Sequence, residues 1–514
     1  MTMRNLSRNK VLTVAAFLLL SVTTYLTACK KFLDKKPLGA YTTDNYPYPP
    51  GSGRYDQFVF TAYSGIRDYQ VSCYPFIGAL IRSDDAMKGS SLFDGDGYGL
   101  IASDNFTMNP STPFANDLWK GYIGLISKCN TVLSEVGKDT TNTPEATKTL
   151  ARAEARFIRG YAYFTFERLF GNVPIIDTVL TVSGSNVPQS TPAEVYAFIE
   201  QDLQFAAANL PATWDPKFIG RATTGAANGL LAKVFLYEKK WSNAMAAAGI
   251  VINSGLYNLK TPYADIFTDA GENSSESVFE VQCYADANTP TNYGCQYSEH
   301  QGVRGVGTQD LGWGFNNPSP QLAAAYEPGD PREASTVLHC PTPAGTTTRY
   351  GEVFGRPEPN DSTYNMKVYT DPAARLKVGG LAGQHAWWVN LRLLRYADVV
   401  LIYAEAANEL GQTTEALEKL EWVRARARGG NNSILPAVTA TDQSLLRSAI
   451  QHERMIEFAM EFDRFFDIVR WDIADTVLHA AGKINYTKGR DEWLPVPQVQ
   501  ISLSNGVLHQ NPGW

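Results

Sequence analysis

The sequence predicts a mostly α-helical protein, in which tetratricopeptide-like hairpin repeats form a scaffold and irregular segments supply a loop-rich ligand-binding face. Three observations predict this class. Residues 190–210 carry a complete helix-start signal, and two later segments repeat one hairpin pattern. Long stretches rich in Gly, Asn, Asp and Tyr show no sustained period.

In STPAEVYAFIEQDLQFAAANL, residues 190–210, Thr191 is a suitable N-cap, Pro192 fits the first helical position and Glu194 completes a capping box. Val195, Ile199, Ala206 and Leu210 then fall near one face. The segments at 230–255 and 401–426 each read as an apolar helix, a short polar turn and an alanine-bearing helix. In the first, Ala232, Leu236 and Trp241 precede Ala244 and Ala248; in the second, Ala404, Ala407 and Gly411 precede Ala416 and Leu420. Small residues let two helices approach, and stacked hairpins bury a core that none could bury alone. Residues 118–136 with 151–170 predict a less regular third pair. By contrast, 69–108, 282–320 and 339–390 are irregular, with short strands expected in the last. Irregular segments on a rigid frame commonly carry binding.

The amino-terminal segment predicts export. Arg4, Arg8 and Lys10 precede an apolar run at 11–20, which is too short for a membrane span. Leu26-Thr27-Ala28-Cys29 resembles the bacterial lipobox, so residues 1–28 are expected to be removed and Cys29 to be acylated. The formal charge is −7, and removing residues 1–28 leaves the body more acidic still. That excludes nucleic acid as an expected partner, since such affinity comes mainly from Lys and Arg at phosphates.

Five cysteines follow the anchor: Cys73, Cys129, Cys283, Cys295 and Cys340. Cys129 falls on an apolar helical pattern and is expected to be buried. Cys283 and Cys295 flank a loop, and a bridge between them stays open because sequence does not supply a Cα separation. There is no C-x-x-C pair, no H-E-x-x-H, no G-x-S-x-G and no phosphate loop, so no metal, cofactor or catalytic constellation is expected. Asp94 to Gly97 begins like a calcium loop but lacks the later ligands and reads as a turn.

Glu453, Glu457 and Glu461 follow at i, i+4 and invite a glycosidase reading. Arg454, Arg464 and Arg470 lie three positions from Glu457, Glu461 and Asp467, so the row predicts a structural ion-pair network instead. Asp398 and Glu405, on an apolar helix, are expected to pair with arginines such as Arg395 or Arg424.

In order along the chain stand Cys29-x-x-Phe32-Leu33-Asp34-x-x-Pro37, LWKGYIGLISKCNTVL, ARAEARFIRGYAYFTFERLFGNVPII and GRATTGAANGLLAKVFLY. LRYADVVLIYAEAANELG, ERMIEFAMEFDRFFDIVRW and the closing HQNPGW follow. With these motifs the chain resembles the SusD/RagB family of outer-membrane nutrient-binding lipoproteins along its mature length. The resemblance implies three parts: a signal peptide at 1–28, an N-terminal SusD-like region at 29–225 and a C-terminal RagB/SusD region at 226–514, packed as one body. It also implies a non-enzymatic protein at the outer membrane, facing the exterior and docked on a SusC-like TonB-dependent transporter. Such a protein captures an oligosaccharide or polysaccharide and hands it to the transporter. A surface glycoside hydrolase, a peptide-binding member and a ligand-free helical adaptor are the alternatives. The family has no pocket motif to carry over, so candidates come from region and composition. They are Asp84, Asp85 and Tyr98 in the first irregular segment, Tyr284, Tyr293, Tyr297 and Trp313 in the second, and Trp387 and Trp388 before RYADVV.

Overall fold

Nine long helices and the short one that follows them carry the architecture of the computed structural model, which describes residues 53–91, 99–181, 186–286, 294–305, 307–355 and 361–514. They are α1 (Asp56–Ile66), α2 (Pro113–Lys138), α3 (Glu145–Phe170), α4 (Pro192–Asn209) and α5 (Thr224–Tyr237). After α6 (Trp241–Asn253) come α7 (Tyr396–Glu409), α8 (Thr413–Arg428), α9 (Gln443–Glu457) and α10 (Arg464–Arg470). The signal peptide, Cys29, the calcium-like turn, Tyr98 and Tyr293 lie outside the described residues.

Each helix from α2 to α8 packs on the next, and α9 closes on α7 and α8. The array runs unbroken through α6 against α7, although residues 254–395 separate them in sequence. The small residues sit where the sequence reading needs them. Ala232, Ala244, Ala248, Ala404, Ala407 and Ala416 are fully buried, and Gly411 turns between α7 and α8 with φ at +74°. A side chain there would strain the left-handed turn. Almost every residue of α5 and α7 is buried, so these two helices form the centre of the array. Each enclosed Leu, Val or Ile contributes about 1.5–3 kcal/mol.

Helix α4 starts as predicted. The Thr191 hydroxyl accepts from Glu194 N at 3.4 Å, and a Glu194 carboxylate oxygen accepts from Thr191 N at 2.8 Å. Residues Tyr55–Trp514 form one compact unit, and the 225/226 boundary falls inside α5. A helix that crosses the boundary unbroken leaves no linker there.

The irregular segments are fastened by short antiparallel ladders. Strand β1 (Ser277–Val281) pairs with β2 (Leu391–Arg395), directly before α7. Ala86–Met87 pairs with Asn317–Pro318, which joins the first irregular segment to the second. Val337–His339 pairs with Thr363–Asn365, in the third segment where strands were expected.

Beneath these ladders lies a buried ion network whose pairing differs from the sequence expectation. Glu453 accepts from Arg332 and Arg424, while Glu457 accepts from Arg395, Arg332 and Arg426. Glu461 accepts from Arg395 and Lys367, but it follows the end of α9 and is not on the helix. Arg454 instead meets Asp398 and Asp467, and Arg464 meets Asp84; Arg470 does meet Asp467, at 2.8 Å. The partners of Asp398 are Arg454 and Lys233, and those of Glu405 are Arg470 and the Trp471 indole. Arg395 and Arg424 serve the α9 glutamates, not Asp398 and Glu405. The reason is tertiary: α9 turns its carboxylates toward β2, α8 and the segment at Arg332, which bring arginines closer than its own neighbours.

Candidate functional site

Four aromatic rings gather where the first and second irregular segments meet. Residues 313–315 run against 299–302, with Trp313 N donating to Glu299 O at 2.8 Å, Gly314 N to Gly302 O at 3.0 Å and Phe315 N to His300 O at 2.8 Å. The backbones touch because Gly312 has no side chain: a Cβ there would stand 2.1 Å from the Glu299 carbonyl oxygen. Gly314, with φ at +75°, then turns the chain. These two glycines act on the backbone.

The crossing sets the Trp313 indole edge-on to His300, with centroids 4.5 Å apart, and Phe315 lies 6.4 Å beyond. His300 stands on the short helix Tyr297–Gln301, and its other side meets Tyr69 of the first segment at 5.8 Å. Trp313 keeps 39% of its surface exposed, whereas His300 is fully buried. One large ring is therefore offered to solvent while its neighbours fix its orientation. Burial lowers the His300 imidazole to about 4, so it is neutral at physiological pH and supports Trp313 as a flat ring.

Half-buried Arg304 and Ser90 stand beside this shelf, and Lys88 is buried within it. Lys88 lies 5.1 Å over the Phe315 ring and donates to Ser91 O at 3.0 Å. Arg304 reaches the Ser90 hydroxyl. Beneath the shelf, Glu299 accepts from the Trp387 indole at 3.0 Å and from Gln296 at 2.8 Å, and it bonds His385 at 2.7 Å. Burial pushes the Glu299 carboxyl up, but His385, Gln296 and His300 together outweigh it and hold the group below its ordinary value.

The structure separates the sequence candidates. Trp313 and Tyr284 are exposed, Tyr284 at 58%. Asp84 is buried and bidentate to Arg464, with both contacts at 2.7 Å. Asp85 is buried beside it, accepting from Met460 N at 3.1 Å and from the Ser83 hydroxyl. Burial first, then the Asp84 charge, raises its carboxyl. Tyr297 is buried against Phe462, and the indoles of Trp387 and Trp388 are buried with their N–H groups on Glu299 and Asp269. These five side chains are thus corrected from candidate contacts to internal supports, because their polar atoms are already engaged inside the protein.

Tyr69 and His300 join the candidate site, although the sequence reading did not single them out. Neither has a local signal, since their meeting depends on a chain crossing more than 200 residues apart. Two clefts lie elsewhere among the described residues. One, of about 530 Å³, is lined by Leu311, Arg375, Leu376, Leu381 and Gln384. The other, of about 400 Å³, is lined by Trp214, Phe218, Ile219, Tyr257 and Asn273. Among the described residues no cluster of His, Cys, Asp or Glu is arranged to hold a metal ion, and no helix is long and apolar enough to cross a membrane.

Comparison with known proteins agrees with this architecture. A model of the SusD family matches residues 357–514, and one described as "Starch-binding associating with outer membrane" matches residues 96–236. A SusD-like protein of Formosa agariphila is 31% identical over 428 residues, covering 80% of this chain and 83% of its own. The chain belongs to the SusD family. Within the family, a SusD-like protein of Bacteroides ovatus is 30% identical over 382 residues, covering 69% of this chain and 65% of its own. Among solved structures, a laminarin-binding SusD-like protein aligns with a TM-score of 0.75 at 27% identity, covering 90% of this chain and 99% of its own. Surface glycan-binding protein A of Bacteroides thetaiotaomicron, solved with laminarihexaose, shares the fold at a TM-score of 0.74 and 23% identity, covering 89% and 98%.

Proposed function

We propose that this SusD-family protein captures a polysaccharide on the Trp313 shelf, at the outer face of the outer membrane, without cleaving it. The observation that carries this reading is the exposed Trp313 ring, fixed by His300 and bordered by hydrogen-bonding groups. A sugar presents an apolar CH face and a hydroxyl edge, which an aromatic face and a polar rim complement. The laminarin-binding relative supports a glucan as the first ligand to try. Anchoring would come from acylated Cys29, and delivery would pass the glycan to a partner TonB-dependent transporter. The absence of cleavage is supported by the α9 glutamates, which are enclosed and salt-bridged instead of facing a cleft across a substrate. Titration calorimetry with laminarin and with starch, followed by analysis of the recovered polymer, tests the reading. Saturable binding with unchanged chain length is expected; no binding to either polymer, or release of shorter sugars, would overturn it.

A further inference from the structure

Three cysteines far apart in sequence converge beneath the shelf. The Sγ atoms of Cys73 and Cys295 are 3.4 Å apart, with Ser72 Oγ 3.8 Å from Cys295 Sγ. Cys283 lies close enough to interact with Cys295 as well. The backbone holds all three in place, with Cys73 N donating to Tyr69 O at 3.2 Å. Cys295 N donates to Trp387 O at 2.9 Å, Cys283 N donates to Asn390 Oδ1 at 2.8 Å, and Arg67 Nη1 donates to Gln282 O at 2.8 Å. All are thiols in this structure; Cys73 and Cys295 are buried, and Cys283 is only half-buried. A disulfide needs sulfurs about 2.0 Å apart, so joining Cys73 to Cys295 takes a closure of roughly 1.4 Å, within reach of side-chain rotation.

We propose that Cys73, Cys283 and Cys295 form a thiol–disulfide exchange site, with Cys295 as the shared sulfur and a Cys73–Cys295 bridge as the oxidised end state. The oxidant is a disulfide, RSSR, such as a protein or low-molecular-weight disulfide of the exported environment. Cys283, the half-buried thiol of the three, passes its proton to solvent and attacks RSSR, releasing one RS⁻ and forming the mixed disulfide Cys283–S–S–R. The Cys295 thiolate attacks the Cys283 sulfur and expels the second RS⁻, giving Cys283–S–S–Cys295. Cys73 then attacks the Cys295 sulfur, its proton passing to Cys283, which is returned as a thiol. In balance, two protein thiols and RSSR become one protein disulfide and two RSH.

Cys295 suits the central role because interactions with Cys283 and then Cys73 hold its thiol well below the ordinary range, while the same contacts and burial push its two neighbours up. The end bridge would be enclosed, away from reductant. It would also join the two irregular segments that supply Tyr69 and His300 to the shelf.

The test uses the full-length protein incubated with oxidised glutathione, denatured, alkylated with N-ethylmaleimide and mapped by mass spectrometry after proteolysis. The expected product is a Cys73–Cys295 cross-linked peptide with Cys129, Cys283 and Cys340 alkylated. Alkylation of both Cys73 and Cys295, or a stable Cys283–Cys295 bridge, overturns the proposal. Cys283→Ser is expected to reach the same bridge at least about tenfold more slowly, because access to the oxidant is lost; the wild-type rate would remove Cys283 from the site. Cys295→Ser is expected to leave Cys73 and Cys283 both alkylated, and a Cys73–Cys283 bridge would remove Cys295 from its shared position. If either variant fails to fold, the wild-type peptide map still decides the end state.

Discussion

Replacing Glu457 with Gln removes one negative charge from the middle of the buried ion network while keeping the shape of the side chain. The carboxylate is fully enclosed and meets Arg395 Nη1 at 2.9 Å, Arg332 Nη1 at 3.2 Å and Arg426. Burial alone would raise its carboxyl, but Arg426, Arg395 and Arg332 together outweigh that and hold it at about 2, against 4.5 for an unperturbed glutamate. That difference corresponds to about 3 kcal/mol of folding stability, on the scale of 1.36 kcal/mol per decade of acidity. Breaking a buried pair independently suggests about 3–5 kcal/mol, because unneutralised arginines remain behind. The folded carboxyl is the more acidic, so its contribution is fully present above pH 4.5 and is lost as pH falls toward 2. Urea unfolding at neutral pH should show Glu457→Gln less stable by about 3–5 kcal/mol. Repeated between pH 5 and 2.5, the same assay should show wild type losing stability more steeply, so that the two converge. A loss at pH 7 below about 1 kcal/mol, the range of a surface pair, would refute the argument that these glutamates hold the fold.

Asp84→Asn should lower the unfolding midpoint through loss of the Arg464 pair, yet folded variant should bind glycan with wild-type affinity; weaker binding by a fully folded sample would return Asp84 to the site. Cys29→Ser should leave a folded protein in the soluble fraction after cell lysis, and full retention in a transporter-deleted outer membrane would contradict the anchor. Because His300 is neutral above about 4, glycan affinity should stay flat from pH 8 to 5; a tenfold change near pH 6.5 would show that the ring is not held neutral.

The helical frame was legible because its signals are local. Thr191 and Glu194 reach only each other, and the alanines at helix crossings announce themselves by spacing on one face. The third hairpin, α2 with α3, was legible for the same reason, through apolar spacing along each helix. The proposed shelf was less legible. Trp313 stood out as a large ring in an irregular segment, but Asp84, Trp387 and Trp388 looked alike on that criterion and proved to be interior. Without a period, sequence gives no inside or outside for such residues. Their burial follows from Arg464, Glu299 and Asp269 arriving from distant segments. The ion network failed in the same way. Charges three apart on α9 were visible, whereas Arg332 and Arg395 are brought to them only by the fold. The cysteines illustrate both limits: Cys283 and Cys295 drew attention as near neighbours, but Cys73, 222 residues before Cys295, is the sulfur at 3.4 Å.

Titration calorimetry of laminarin into wild type, Trp313→Phe and Trp313→Ala, each with a thermal melt to confirm folding, tests the central claim most directly. The exposed indole provides the stacking area, so affinity should fall in that order, by at least about tenfold, or 1.4 kcal/mol, for Trp313→Ala. Wild-type affinity in folded Trp313→Ala would contradict the account and move the glycan off the shelf.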